Sequence, residues 1–344
     1  MSKNNTKIVI WAMEPRFRLN YIIELLQLNY KQEIDYLVDH ANLSAYDKTL
    51  QNKWLPAPGR ADFVIERMNI VGQEIEYIPA LGQYELQLGA SKGLINNTPL
   101  PRDIRVFNRS VNAVFFEYFG RVYCALEVSA SQEGKVRSAL FGQGYRNPKE
   151  EWGKVYYKDI DTYALDSRFF YWIFSKRGQS IPWNGSEDES IQVVDVSAVS
   201  QLAERQAYDS TSQGANVLGS VQALSGLGSN QSVYNGGFYF LKHNDFSLFM
   251  EIGADGSCTI DTGRSNFIKN GQIENVSQNF QYLILVLYTS LFPGLKELYN
   301  TERTGGVWTI LREADQRKQW ALEVVKELCE ENEIALSELE SILT

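Results

Sequence analysis

Two β-rich runs, 111–119 and 121–128, meet at Gly120 with no other residue between them. Only a tight turn fits such a junction, so the pair is predicted to fold back as an antiparallel hairpin. A second group of alternating runs, 238–241, 246–252 and 257–260, is broken by His243-Asn244-Asp245 and Ala254-Asp255-Gly256 and reads as an antiparallel meander. Strand pairing of this kind, with helical patterns before and after it, constrains the chain to an α+β architecture.

The helical patterns have their own punctuation. Pro15 opens a helix whose apolar residues Leu19, Ile22, Ile23, Leu26 and Tyr30 are spaced for one face. Flanked by apolar runs at 7–13 and 34–38, it gives a βαβ-like start, for which a parallel pair is expected. Residues 60–71 show helical spacing at Ala61, Val64, Ile65 and Met68. Ser129, with Gln132 three residues on, is a capping box for a helix over 131–141 that ends near Gly142 and Gly144. A strand is predicted at 155–160, and Asp166 or Ser167 caps a helix that runs to Lys176-Arg177 and stops at Gly178. In the second half, 191–196 reads as a strand and the Ser/Gly/Gln/Asn-rich stretch 209–232 as a weak small-residue helix or a loop. Asn275 caps an apolar helix that ends at Pro293-Gly294, an amphipathic helix covers 307–329, and a short acidic one covers 336–343.

With 344 residues the chain exceeds the size of most single cores, and the acidic stretch 185–189 is the expected boundary. The expected organisation is a mixed N-terminal α/β domain over 1–184, with the βαβ-like start and the hairpin. A C-terminal α+β domain over 190–344 carries the meander packed with helices. The polar start Met1 to Thr6 and the short apolar run after it do not make a secretory signal, and no run reaches the ~18 apolar residues of a membrane span. Three cysteines, Cys124, Cys258 and Cys329, are too far apart for a disulfide framework or a CxxC metal pair, so a cytoplasmic setting with no membrane partner is expected.

Several chemistries lack their residues. Only two histidines occur, His40 and His243, each in polar surroundings that read as loop or turn, which leaves no triad or histidine-rich metal site in view. The turn Glu14-Pro15-Arg16 has no dinucleotide-binding glycines, and the glycines at 214–226 lack the Gly-Lys-Ser/Thr ending of a phosphate loop. Asp159 and Asp161, two apart on the predicted strand, would share a face near Glu127 and are weak candidates for a divalent-metal site. No lysine stands at the position a carboxylate nuclease would want. No cofactor is indicated.

One stretch stands apart in charge. The chain carries −9 overall, but 135–177 holds nine cations against five anions, interleaved with eleven aromatic rings. Cations hold phosphates and flat rings stack bases, the pairing used by single-stranded nucleic acid sites. Phe169, Phe170, Ile173 and Phe174 repeat at helical spacing and belong to a core. That narrows the candidate surface to Lys135, Arg137, Tyr145, Arg146, Trp152, Lys154 and Lys158, with Tyr156 as a further exposed ring. Nucleic-acid binding is the expected function, in a setting such as a bacterial defence or mobile-element locus. The alternatives are a subunit of a protein assembly, such as a homodimer, and a carboxylate-metal hydrolase.

Overall fold

The computed structural model describes residues 5–143, 151–183, 186–203, 208–269 and 271–343. The fold is α+β and divides into two compact units. One comprises Lys7–Ile160 and Gln281–Thr289; the other comprises Asp161–Phe280 and Ser290–Thr344 together with Met1–Thr6. The division therefore falls at Ile160/Asp161 and not at 185–189. The intervening helix over 167–175 buries its rings in the second unit, Phe169 against Tyr299, Phe174 against Phe238 and Tyr171 against Trp320.

The first unit is built from β1 (Asn5–Ala12), α1 (Leu19–Leu26), β2 (Asn29–Glu33), β3 (Thr49–Pro56), β4 (Glu66–Ile70) and β5 (Gln73–Gln87). There follow α2 (Ala90–Gly93), the two-residue strands β6 (Leu94–Ile95) and β7 (Thr98–Pro99), α3 (Arg102–Arg105), β8 (Val106–Tyr118), β9 (Arg121–Glu127) and α4 (Ala130–Phe141). Its sheet runs β1-β9-β8-β5-β3-β2, with β4 attached to β5, and every pair is antiparallel. The hairpin predicted around Gly120 is β8–β9, with Phe115 opposite Cys124. Inward residues alternate as the pleat requires: Val9 and Trp11 from β1 join Phe115, Cys124 and Leu126 in one buried cluster. α1 and α4 close that cluster with Ile22, Leu26, Val136, Leu140 and Phe141. At Gly82 of β5 a Cβ would lie 2.4 Å from Leu140 Cδ1 and 2.8 Å from Val111 Cγ1, so the absence of a side chain there lets α4 settle onto the sheet.

Three local expectations fail. The βαβ start does not form a parallel pair. β1 pairs with β9, the next strand is Asn29–Glu33 paired antiparallel to β3, and Asp35–Leu37 is a single 3₁₀ turn. The helix expected over 60–71 is instead a loop leading into β4, because Val71-Gly72 (φ 48° and 79°) forms a tight turn that returns the chain as β5. Glu66 fastens this hairpin by accepting from Arg60 and, at 2.7 Å, from the Tyr77 hydroxyl. Residues 155–160 are not a strand: Ala12 and Tyr156 exchange one pair of backbone hydrogen bonds, 2.8 and 2.9 Å, and Asp159 turns the chain away at φ 53°.

The second unit contains α5 (Ser167–Ser175), β10 (Ser180–Trp183), β11 (Ser186–Ala203), β12 (Tyr208–Gln213), α6 (Val221–Gly228) and the meander β13 (Ser232–Lys242), β14 (Phe246–Gly253) and β15 (Cys258–Asp261). The short strands β16 (Asn266–Lys269) and β17 (Gln272–Asn275) follow; the chain then enters α7 (Phe280–Leu285), which from Gln281 on belongs to the first unit, and ends with α8 (Phe292–Thr304), α9 (Ile310–Glu331) and α10 (Leu336–Leu343) in the second. The sheet runs β10-β11-β13-β14-β15, with β12 on β11 and β16-β17 on β14, all antiparallel. Asp166 caps α5 as expected, its carboxylate accepting from Phe169 N–H at 2.7 Å. The apolar helix after Asn275 does not end at Pro293-Gly294. A π-helical stretch, Val286–Leu291, bridges α7 to α8, and Pro293 takes a place in the first turn of α8.

α9 presents a further surprise. Its inward residues are Trp320, beside the Tyr171 ring, and Glu313, which accepts from Arg168 at 2.7 Å. Of the apolar stripe that defines the helix in sequence, Ile310, Leu311, Val325 and Leu328 are exposed, while Ala321 packs beside Gly228 of α6. Among the described residues, no helix is long and apolar enough to cross a membrane.

Candidate nucleic-acid interface

The candidate surface is held by three pieces of the first unit: the end of α4, the segment 151–158, and the loop after β1. The segment is tied down at both flanks. Gln143 donates to the carbonyl of Gly153 at 2.7 Å, and the Lys154 backbone N–H donates to Glu14 Oε1 at 2.6 Å. Gly153 sits at φ 53°, where a Cβ would lie 2.5 Å from the same Glu14 oxygen, so glycine lets the carboxylate close on the turn. Beyond it, the Ala12–Tyr156 bridge hangs residues 155–158 on the end of β1.

Trp152, expected as an exposed ring, is fully buried. Its indole lies 4.7 Å from the Phe141 ring, 5.9 Å from Phe115, 6.4 Å from Trp54 and 6.5 Å from Tyr30, at the centre of the sheet–helix core. It is a packing residue and cannot stack a base. The expectation fails because the residues that bury Trp152 come from four distant parts of the chain. Tyr145 and Arg146 lie outside the described residues.

The remaining cations gather around two consecutive tyrosines. The Arg137 guanidinium lies 3.6 Å from the centre of the Tyr157 ring, and Lys158 Nζ is 5.9 Å from that centre. Lys154 Nζ and the Arg121 guanidinium each lie 4.8 Å from the centre of the Tyr156 ring. Lys135 is exposed on α4, two residues before Arg137. Among the described residues, none of Lys135, Arg137, Lys154 or Lys158 makes an ion pair. Arg121 was not visible as a member from the sequence, because the charge count ran along a contiguous segment. The β8–β9 hairpin delivers it, and its Nε donates to the Met13 carbonyl at 2.9 Å.

This geometry alters what the rings do. A guanidinium stacked on a tyrosine is held flat while its edge N–H groups remain available to phosphate oxygens. Tyr156 and Tyr157 therefore orient cations, and the arrangement suits backbone phosphates better than stacked bases.

The carboxylate candidates do not assemble. Glu127 accepts from Asn112 Nδ2 at 2.7 Å on the sheet, and Asp159 sits in a left-handed turn, not on a strand beside Asp161. Among the described residues, no three His, Cys, Asp or Glu side chains lie close enough together to hold a metal ion. No family model matches the sequence, and no curated protein matches it significantly.

Proposed function

We propose that this chain binds nucleic acid through the phosphate backbone, at the surface formed by Arg121, Lys135, Arg137, Lys154 and Lys158. The observation that carries the reading is the pairing of two cations with each of Tyr156 and Tyr157. In a chain of net charge −9, four cations oriented in this way form a local site for a polyanion. A reducing cytosol suits the same reading, since none of the three cysteines is in a disulfide.

The test is fluorescence anisotropy with labelled single- and double-stranded DNA and RNA across a salt series. Four phosphates neutralised on duplex DNA give a log–log slope of about −3 to −4. Reversing Arg137, Lys154 and Lys158 together to Glu should cut affinity and bring the slope toward −1. Binding that ignores salt, or survives the triple reversal unchanged, removes the proposal.

A further inference from the structure

We infer that Phe119, at the tip of the β8–β9 hairpin, is the base-stacking residue of the site, and that the nucleic acid it takes is single-stranded. The inference rests on the phosphate-binding reading above and names its substrate class. Phe119 is 79% exposed, the highest value among the large apolar side chains of the described residues. Tyr118 pairs with Arg121, so Phe119 and Gly120 alone make the turn, both at positive φ, 47° and 70°. Asparagine or glycine suits the first position of such a turn, and a bulky side chain is strained there. Packing does not offset the strain, because the ring stands outside the core. Strain held at an exposed position is a mark of function. The Tyr118 ring, itself buried, braces Phe119 with 4.3 Å between ring centres and 48° between planes.

The class of ligand follows from what the hairpin end is fastened to. Arg121 Nε donates to the Met13 carbonyl at 2.9 Å, and the Met13 N–H donates to the Val122 carbonyl at 2.9 Å. The next residue, Glu14, accepts from the Lys154 N–H at 2.6 Å. Hairpin end, loop and cation segment are therefore clamped together, and the tip stands in a fixed relation to Arg121 and Lys154, the two cations on Tyr156. The Cα atoms of Phe119 and Arg121 are at most about 7 Å apart. Stacked bases advance about 3.4 Å per nucleotide, so a few nucleotides set a base on the ring while their phosphates lie against the cations. In a duplex both faces of each base are already covered, and a ring must first unstack a step. A lipid surface needs more apolar area than one phenyl ring, and here the neighbouring Tyr118 and Val122 are buried while Glu117 and Arg121 are charged.

The test is anisotropy with labelled oligothymidylate and with an abasic phosphodiester strand of equal length. Phe119→Asn should weaken binding to oligothymidylate about 5- to 150-fold and leave the salt slope unchanged. The abasic strand should bind wild type and variant alike, and Phe119→Trp should restore the tight binding. Asparagine is at ease at positive φ, so the variant should melt no lower than the wild type. Wild-type binding without salt dependence, or no binding, would overturn the phosphate site and this inference with it. Salt-dependent binding that Phe119→Asn leaves unchanged, or that is as tight on the abasic strand, would overturn the stacking role alone and leave the phosphate site standing. Wild-type binding to phosphatidylserine vesicles that Phe119→Asn abolishes, with strand affinity intact, would assign the ring to a membrane and overturn the inference as well.

Discussion

Replacing Trp152 by Ala separates a packing role from a binding role at the position where the two readings conflict most. The side chain is wholly buried, and four aromatic rings from β2, β3, β8 and α4 or its neighbours surround it within 6.5 Å. Removing a buried indole costs about 3–5 kcal/mol, because the transfer energy of the ring is lost and a rigid wall of rings cannot collapse into the gap. For a unit of this size each kcal/mol moves the melting temperature by roughly 2–4 °C, so a fall of about 6–20 °C is expected. Differential scanning calorimetry gives the shift directly. Anisotropy on the same variant, well below its transition, should show nucleic-acid affinity close to wild type, because no phosphate contact has been touched. Trp152→Phe should lie between the two in stability. A variant that melts with the wild type, or one that stays folded but binds as weakly as the triple charge reversal, would refute this account of the ring.

Two further outcomes follow from buried or paired groups. The Arg60 hydrogen bond, with Tyr77 behind it, holds the Glu66 carboxyl below its ordinary value of 4.5, and burial with Glu66 beside it pushes the Tyr77 phenol up to about 12. A carboxylate depressed in the folded state stabilises at pH values above its unfolded value and loses that contribution as pH falls through the folded one. The stability gap between wild type and Glu66→Gln, from urea titrations, should be steady from neutrality to about 4.5 and close below it; a gap that widens in acid contradicts the pairing. Burial pushes the Cys124 thiol well above its ordinary value, Cys258 is also buried, and Cys329 is partly accessible on α9. An aromatic disulfide reagent should modify one thiol in the native chain and three after denaturation, and fast native reaction of two would place the wrong cysteines inside.

What could be read in the sequence was local. The hairpin at Gly120, the meander and the Asp166 cap depend on residues within a few positions of one another, and all three appear as expected. The parallel βαβ start and the helix over 60–71 were wrong because strand partners far along the chain, or the Val71-Gly72 turn, outvoted helical spacing. The site follows the same rule. Lys154 and Lys158 were visible as charges beside tyrosines, whereas Arg121 enters by sheet pairing and Trp152 leaves by burial. The α9 stripe was legible as amphipathic, but periodicity says only that a helix has an apolar face and not how much of it the fold covers.

The passage of one continuous helical run through Val286–Leu291 has a consequence for how the chain is made. Gln281–Thr289 belong to the unit that otherwise ends at Ile160, and Tyr288 stacks 25° from parallel on Phe116 at 6.4 Å. On the ribosome, the 120 residues 161–280 must be synthesised before this segment emerges, a delay of about 6–24 s at ordinary translation speeds. The unit that starts at Lys7 is thus completed only after 161–280 of the other have been made, and through that interval Phe116 waits without the Tyr288 ring.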